Sequence, residues 1–511
     1  MTGNNDAVDR LGRNNRLSLI GSLVSAALGF VVVFVLTRGL GSQGAGVVFV
    51  AAGVFNIAMQ SAVLGTDAGL VRFIAQARKS NNESSISALI KSAIVPVVVI
   101  GVALGVVVAV LAEPIGGLFS GDGEVDAAVP SSIRVVAVVF PIGAIAMALL
   151  AATRGFGQLR TTALANQIAR PVIQLVAVAA VVLVGAGPVW ATVAWVGPVV
   201  VGAIAAGRWL RTAVPESGSE AAATEEITRE FWSFSRPQAG TGMLRVVVRW
   251  LGTLVVGALL SLGAAAIFTA ATRLLKLGNF VNQAAFQASA PQIAEDLGTG
   301  EIEQASSVYR SASTWLVLAT WPLYLGAILY APEILSLFGD DFVEGASALR
   351  ILSVAMLVAS ASGPIEAVLV MSGRTTQNLI NNIVALGVNI ALLFLLVPPF
   401  GLEGAAFAWA ISVMCTNLLP MVQVVRSLGM HPFGSTHVLT MAANAVALGV
   451  TAAITRTLGL APIVTLIVGL GLAAIPLVAF AFWRRDDLAL DQLLRTRTSP
   501  KKKTEPTQER L

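Results

Sequence analysis

About fourteen times along the chain an apolar run of roughly 20 residues ends in a short polar break. The runs fall near 17–37, 44–66, 88–112, 130–153, 161–185, 189–210, 237–257, 261–285, 308–330, 345–371, 376–397, 402–425, 437–457 and 462–483. A run of that length crosses a hydrocarbon core of about 30 Å as a helix. Lipid offers no partner to an unpaired backbone N–H or C=O, so open strands and loops are not alternatives. The sequence therefore predicts an all-α polytopic membrane protein. Composition agrees, with 12% charged residues and a mean hydropathy of +0.81, where a soluble chain carries about 25% charged residues. Cys415 is the single cysteine, which excludes an internal disulfide framework. His431 and His437 sit in a short polar segment that reads as a solvated loop rather than a metal site.

The net charge of +5 is distributed, not clustered, which argues against nucleic acid as a partner. Alternate breaks carry Arg10, Arg13 and Arg16, then Arg72, Arg78 and Lys79, then Arg154 and Arg160, Arg208 and Arg211, Arg374, Arg426 and the tail. The breaks 112–130 and 331–347 on the other side hold no Lys or Arg. By the positive-inside rule both termini are cytoplasmic and the protein sits in the cell (plasma or inner) membrane. Arg38 and Arg456 break the pattern, and snorkelling at outer helix ends is the expected reason. The first run lacks a clear signal-peptide exit and reads as a retained helix. The outer breaks are too short for a folded catalytic domain, so no enzyme activity, catalytic residue, metal or cofactor is expected.

The two sides of the polar segment 211–235 match one another in order. "GVVFVAAG" (46–53) pairs with "AAIFTAAT" (265–272), "FIAQ" (73–76) with "QIAE" (292–295), and "EPIGGLF" (113–119) with "PEILSLF" (332–338). Further on, Gly157 pairs with Gly373, Asn166 with Asn382 and Trp195 with Trp409. Each match is weak, but collinear order is not. The expected organisation is a cytoplasmic N-terminus (1–16), a six-helix half (17–210), a cytoplasmic linker (211–235), a second six-helix half (236–426), two extra helices (427–483) and a basic cytoplasmic tail (484–511). Both halves start on the same side, so the repeats are parallel, and the substrate site is expected between them.

This six-plus-six-plus-two plan resembles the multidrug/oligosaccharidyl-lipid/polysaccharide exporter superfamily. "LTRGLGSQGAGVVFVAAGVFNIAMQSAVLGTDAGLVRFIAQ" (36–76), with Arg72 and Phe73, is similar to its polysaccharide or O-antigen flippase branch. So is "AAIFTAATRLLKLGNFVNQAAFQASAPQIAE" (265–295), down to Pro291–Ala294. The resemblance implies a flippase that moves a polyprenyl-pyrophosphate-linked oligosaccharide, a cell-surface polysaccharide repeat unit, from the cytoplasmic to the outer leaflet. Its partners would be that lipid-linked glycan, the bilayer and polysaccharide biosynthesis enzymes.

Met243–Gly278 carries Arg245, Arg249, Arg273 and Lys276 in apolar sequence without one acid. Arg170 lies inside the fifth run, beside Pro171. A cation at the bilayer centre costs about 2.5–3.5 kcal/mol on insertion scales, so it faces the bundle interior or a wet cavity. Asp67 and Glu366 are the acids within helices, too few to neutralise five cations; they are also the candidates for proton or sodium coupling. Snorkelling accounts for Arg245 and Lys276 better than for Arg273. The remaining reading is an anion cavity in which Arg and Lys hydrogen-bond pyrophosphate. Two rivals from the same superfamily stand beside it: a lipid II flippase, and a cation-coupled multidrug exporter, which should favour acids. A membrane polysaccharide polymerase, the rival from another class, would need a large outer loop. Asn56, Asn282, Asn389 and Asn417 are expected to bond between helices, with lining of the sugar path as the alternative.

Overall fold

The structure is a computed structural model that describes residues 2–80, 84–120, 126–213, 221–459 and 461–484. The basic tail from 485 onward, and 214–220 of the expected linker, lie outside the described residues. Every described element is a helix. Ten helices among the described residues are long and apolar enough to cross a membrane, against the fourteen or so runs in the sequence. Two of the ten, Val24–Val63 and Thr375–Leu428, are long because each carries one break. The breaks are Gly41 (φ 67°, ψ −174°) and Gly401 (φ 56°, ψ −132°), conformations open to glycine and to few other residues. Leu262–Thr299, with 38 residues, is long enough but too polar to count among the ten.

Packing follows the logic of lipid rather than water. On Ser84–Val110, Val95, Val99, Val102 and Val106 are each more than half exposed. The opposite stripe, Ala93, Val97, Gly101 and Gly105, is buried at four-residue spacing. A Cβ on Gly105 would press on the Ala137 carbonyl, and one on Gly101 would touch Pro141. Small residues thus bring backbones close, while the large valines face what must be acyl chains.

Contacts divide the chain into two units. The first is Met1–Leu277, Pro332–Leu352 and Leu386–Trp409; the second is Gly278–Ala331, Ser353–Ala385 and Ala410–Leu511. In the first unit, Arg38 donates to the carbonyls of Ser336 (2.6 Å) and Leu337 (2.7 Å), at the end of the short helix Ala331–Ser336. Ser42 donates to Asp341 at 2.9 Å beside it. In the second unit, Arg456 donates to the Leu329 carbonyl (2.8 Å), which closes Ile302–Leu329. Both arginines that break the charge pattern are therefore held by helix C-terminal carbonyls, where a cation also meets the negative end of the dipole.

The internal repeat has backbone counterparts. Short six-residue helices, Ala112–Gly117 and Ala331–Ser336, precede the buried pair Phe119 and Phe338. Gly157 and Gly373 adopt φ of 78° and 80°, and the Trp195/Trp409 offset sets Gly187 (84°) opposite Gly401 (56°). The polar segment 211–235 is helical at both ends: Val199–Ala213 finishes in it, and Ala221–Leu259 starts in it. Phe231 and Ser235 of that start are fully buried, with Phe231 edge-on to Phe73 at 5.7 Å.

His437 corrects the loop reading. Extended Gly434 ends the loop, so Ser435–Thr457 begins early and His437 falls in its first turn. There it is 1% exposed, with Nδ1 3.5 Å from Thr314 Oγ1 and its ring against Phe433.

In the second unit one helix is interrupted at Ser362–Pro364, between Ala346–Ala361 and Ile365–Met371. Pro364 lacks an N–H and disfavours helical geometry at the residue before it. Gly363 takes φ 67°, and Tyr309 Oη donates to the freed Ser362 carbonyl at 2.6 Å. A Cβ at Gly363 would collide with Ser313 and touch the Tyr309 ring, whereas Gly373, also left-handed, has open space. Gly363→Ala should lower the unfolding midpoint in detergent by clearly more than Gly373→Ala, which carries only a conformational cost of about 1 kcal/mol. Equal losses would mean that the contact with Ser313 does not constrain the break.

Candidate functional site

Ala221–Leu259 and Leu262–Thr299 form a tight antiparallel hairpin. Ser261 starts the second helix: its Oγ accepts from the Ala264 N–H (3.0 Å) and its carbonyl from the Ala265 N–H (3.1 Å). A buried hydrogen bond between Thr253 and Thr269 (3.0 Å) then sets the register. Gly252 admits the Phe268 ring beside it. One turn further from the hairpin on each helix stand Arg249 and Arg273. Arg245 and Lys276 occupy the next level. The four cations of the apolar stretch are thereby stacked as two layers along one helix pair.

Twelve residues beyond Ser261, Arg273 lies about 18 Å along the helix. Its guanidinium carbon is 5.8 Å from the centroid of the Trp195 ring. Trp195 is 9% exposed and packs edge-on against Phe49 at 5.8 Å. The Nε of Arg273 is buried without a hydrogen-bond partner. Lys276 is within electrostatic reach of both Arg273 and Arg249. Among the described residues no acid comes within ion-pair distance of any of the four. A desolvated cation–π contact is worth about 2 kcal/mol, less than the cost of the buried charge. The site therefore stays electrically incomplete and suits an anion. Arg245 and Arg249 are exposed, so Arg245 can also reach the interface by snorkelling.

The other predicted residues have partners of their own. Arg170 follows the π-helical turn Thr162–Ala169, and its N–H bonds back to Ala165, five residues earlier. Pro171 explains the widened turn, because it lacks an N–H and its ring would strike the carbonyl four residues back. Arg170 Nη1 donates to Asn166 Oδ1 at 3.3 Å, and the structure shows no contact from it to the hairpin cations. Asp67 opens the helix Thr66–Lys79 and lies within electrostatic reach of Arg154.

Glu366 belongs to the second unit. It is exposed, accepts from Asn378 Nδ2 at 3.2 Å, and lines a cavity of about 260 Å³ with Asn282, Asn382, Thr416 and Asn417. The expectation that the asparagines bond between helices needs correcting. Asn56 and Asn417 donate to carbonyls four residues back in their own helices, because a short amide reaches that carbonyl first. The interhelical amide bond is instead the reciprocal pair Asn381–Gln423, at 2.9 and 3.0 Å. Sequence reasoning also missed Trp195. Its only signal was a tryptophan recurring at the matching place in the repeat.

Known proteins share this architecture. The profile of the polysaccharide biosynthesis protein family matches residues 11–295, and that of the MatE family matches residues 237–395. A probable low-salt glycan biosynthesis flippase, Agl15 of Haloferax volcanii, is 22% identical over 199 residues, 37% of this chain. The match spans 41% of that relative's length. Among solved structures, the lipid II flippase MurJ in an inward closed conformation superposes with a TM-score of 0.70 at 13% identity, covering 91% of this chain and 98% of that one. An inward-facing multidrug resistance transporter of the MATE family, in the MOP superfamily, gives 0.64 at 18% identity, covering 79% and 94%. At these identities the likeness establishes the fold.

The ring contact of Arg273 is open to measurement. A double-mutant cycle of Trp195→Leu with Arg273→Met, read by denaturant unfolding in mild detergent, should return a coupling of about 0.5–2 kcal/mol. Zero coupling would reduce the pair to mere neighbours.

Proposed function

The chain belongs to the polysaccharide biosynthesis protein family, and from that premise we propose that it is a transporter, not an enzyme, which flips polyprenyl-pyrophosphate-linked oligosaccharide across the cell membrane. The observation that carries this reading is Arg273: a guanidinium near the middle of a membrane helix, half covered by Trp195, with an unpartnered Nε and no acid beside it. Pyrophosphate supplies the missing partner. Guanidinium and ammonium groups donate several charge-assisted hydrogen bonds to its oxygens, and these are strong where water is excluded. Arg249 and Lys276 flank Arg273, so the two charges of the pyrophosphate meet more than one donor. The polyprenyl tail remains in lipid while the glycan passes through the wet interior.

The distribution of Arg and Lys among the breaks supports cytoplasmic termini, and hence loading from the cytoplasmic leaflet. Alternating access by rocking of the two repeats fits parallel halves with matching left-handed glycines. Asp67 and Glu366 are the residues through which protons or sodium would couple. The electrostatic attraction between Asp67 and Arg154 favours a structural role for Asp67. A multidrug exporter for cationic drugs would need acids where this hairpin has only cations. Against a lipid II flippase charge does not discriminate, but the family match favours a polysaccharide precursor.

Reconstituted into proteoliposomes, the wild type should flip a lipid-pyrophosphate oligosaccharide, and Arg273→Ala should slow flipping at least about tenfold at equal insertion. Arg273→Lys should retain part of the rate, because charge survives but the planar donor fork does not. Normal transport by Arg273→Ala would remove the centre of the proposed site. Export of small cations in place of any lipid-linked sugar would move the protein to the drug-exporter branch.

A further inference from the structure

The cavity around Glu366 has a composition unlike that of the cationic hairpin. Four of its lining residues, Asn282, Asn378, Asn382 and Asn417, are carboxamides, and Thr416 adds a hydroxyl. They arrive from separate helices. Asn282 stands on Leu262–Thr299, with Phe286 one turn on. Asn378 and Asn382 stand one turn apart on Thr375–Leu428, and Thr416 and Asn417 follow after the Gly401 break. Glu366 is brought to them by the interruption at Gly363–Pro364, which also lines the cavity.

Hydrogen-bonding capacity is left over there. Asn417 spends its amide hydrogens on the Val413 carbonyl (2.8 Å) and Thr416 Oγ1 (3.3 Å), which leaves its carbonyl oxygen as an acceptor. Asn378 is likewise used on its donor side, by Glu366. Asn282 and Asn382 make no side-chain hydrogen bond among the described residues, so each offers both donors and acceptors. Both are exposed, so neither amide is taken up by packing against the protein.

Charge and size narrow the ligand. The cavity has one carboxylate, already bonded to an amide, and among the described residues no group of three His, Cys, Asp or Glu could hold a metal. A cation alone would use the oxygens of the lining and leave the carboxamide N–H donors without acceptors. A second phosphate would meet Glu366 and no cation in the lining. A neutral sugar ring has what the cavity lacks: adjacent hydroxyls that both donate and accept, matched by carboxamides, and an apolar C–H face for the Phe286 ring.

We propose that the cavity of Asn282, Glu366, Asn378, Asn382, Thr416 and Asn417, with Phe286, is a sugar subsite that recognises a neutral hexose-type unit of the transported glycan. It rests on the flippase reading and adds to it a division of labour. The hairpin cations take the pyrophosphate, and the carboxamide cavity takes the sugar. At matching positions of the repeat, the first half has Asn166 beside Arg170, and the second has Asn382 beside Leu386.

The test is binding by the purified full chain in nanodiscs, with two probes: polyprenyl pyrophosphate without sugar, and the same lipid carrying an oligosaccharide. Wild type should bind the glycosylated lipid at least about tenfold more tightly. Asn382→Ala with Asn417→Ala should erase that preference and leave binding of the bare pyrophosphate unchanged. Arg273→Ala should weaken both probes together. Asn282→Ala, at an exposed position, gives the same readout if the double variant is unstable. Equal binding of the two probes by wild type, or a preference that survives in the asparagine variants, overturns the subsite. Should Arg273→Ala bind both probes normally while the asparagine variants lose the preference, the subsite stands and the pyrophosphate role of Arg273 falls.

Discussion

The cost of holding four cations together on one helix pair governs much of this molecule. Arg249 and Arg273 share one level because a single buried hydroxyl pair, Thr253 with Thr269, fixes how two helices slide past each other. Without that register the charges would be scattered in depth, and each would find its own route to the interface. With it they reinforce one another, and Lys276 joins them. Trp195 covers one side of Arg273 and supplies quadrupole attraction without a counter-charge. A carboxylate in that place would neutralise the site. An aromatic ring steadies the guanidinium and leaves its charge available to an anion.

The backbone breaks follow from the same scarcity of water. A carbonyl or N–H freed inside a membrane must be bonded within the protein. At Ser362–Pro364 the freed carbonyl is taken by Tyr309, and Gly363 makes room for that contact. Beside Pro171 the chain widens into a π turn instead of leaving a clash. At the ends of other helices Arg38 and Arg456 satisfy terminal carbonyls. At each of these places the loss of a helical hydrogen bond coincides with a named side chain or a named geometry that replaces it.

The sequence read well where the physics is local. Apolar run length gave the helical class, and the repeat was visible in pairs such as Gly157 and Gly373, which adopt the same left-handed backbone. Reading failed where a partner lies far along the chain. Arg38 looked like a snorkelling residue, yet its ligands are some 300 residues away. His437 looked solvated because its neighbours in sequence are polar, while its neighbours in space are not. Asn56 and Asn417 turned to their own helices, since the carbonyl one turn back is always within reach of a short amide.

By itself the sequence determined that this chain is a helical membrane protein, and it showed a collinear internal match and four cations in an apolar stretch without an acid. Those outcomes depend on run length, order and residue type, which are properties of one dimension. Tertiary structure alone decided that Trp195 would stand over Arg273, and that Asn282, Glu366, Asn382 and Asn417 would meet around one cavity. Nothing in their spacing foretells it, because packing between helices depends on which small residues let two backbones approach. That is settled by fit across the whole bundle and not by any single run.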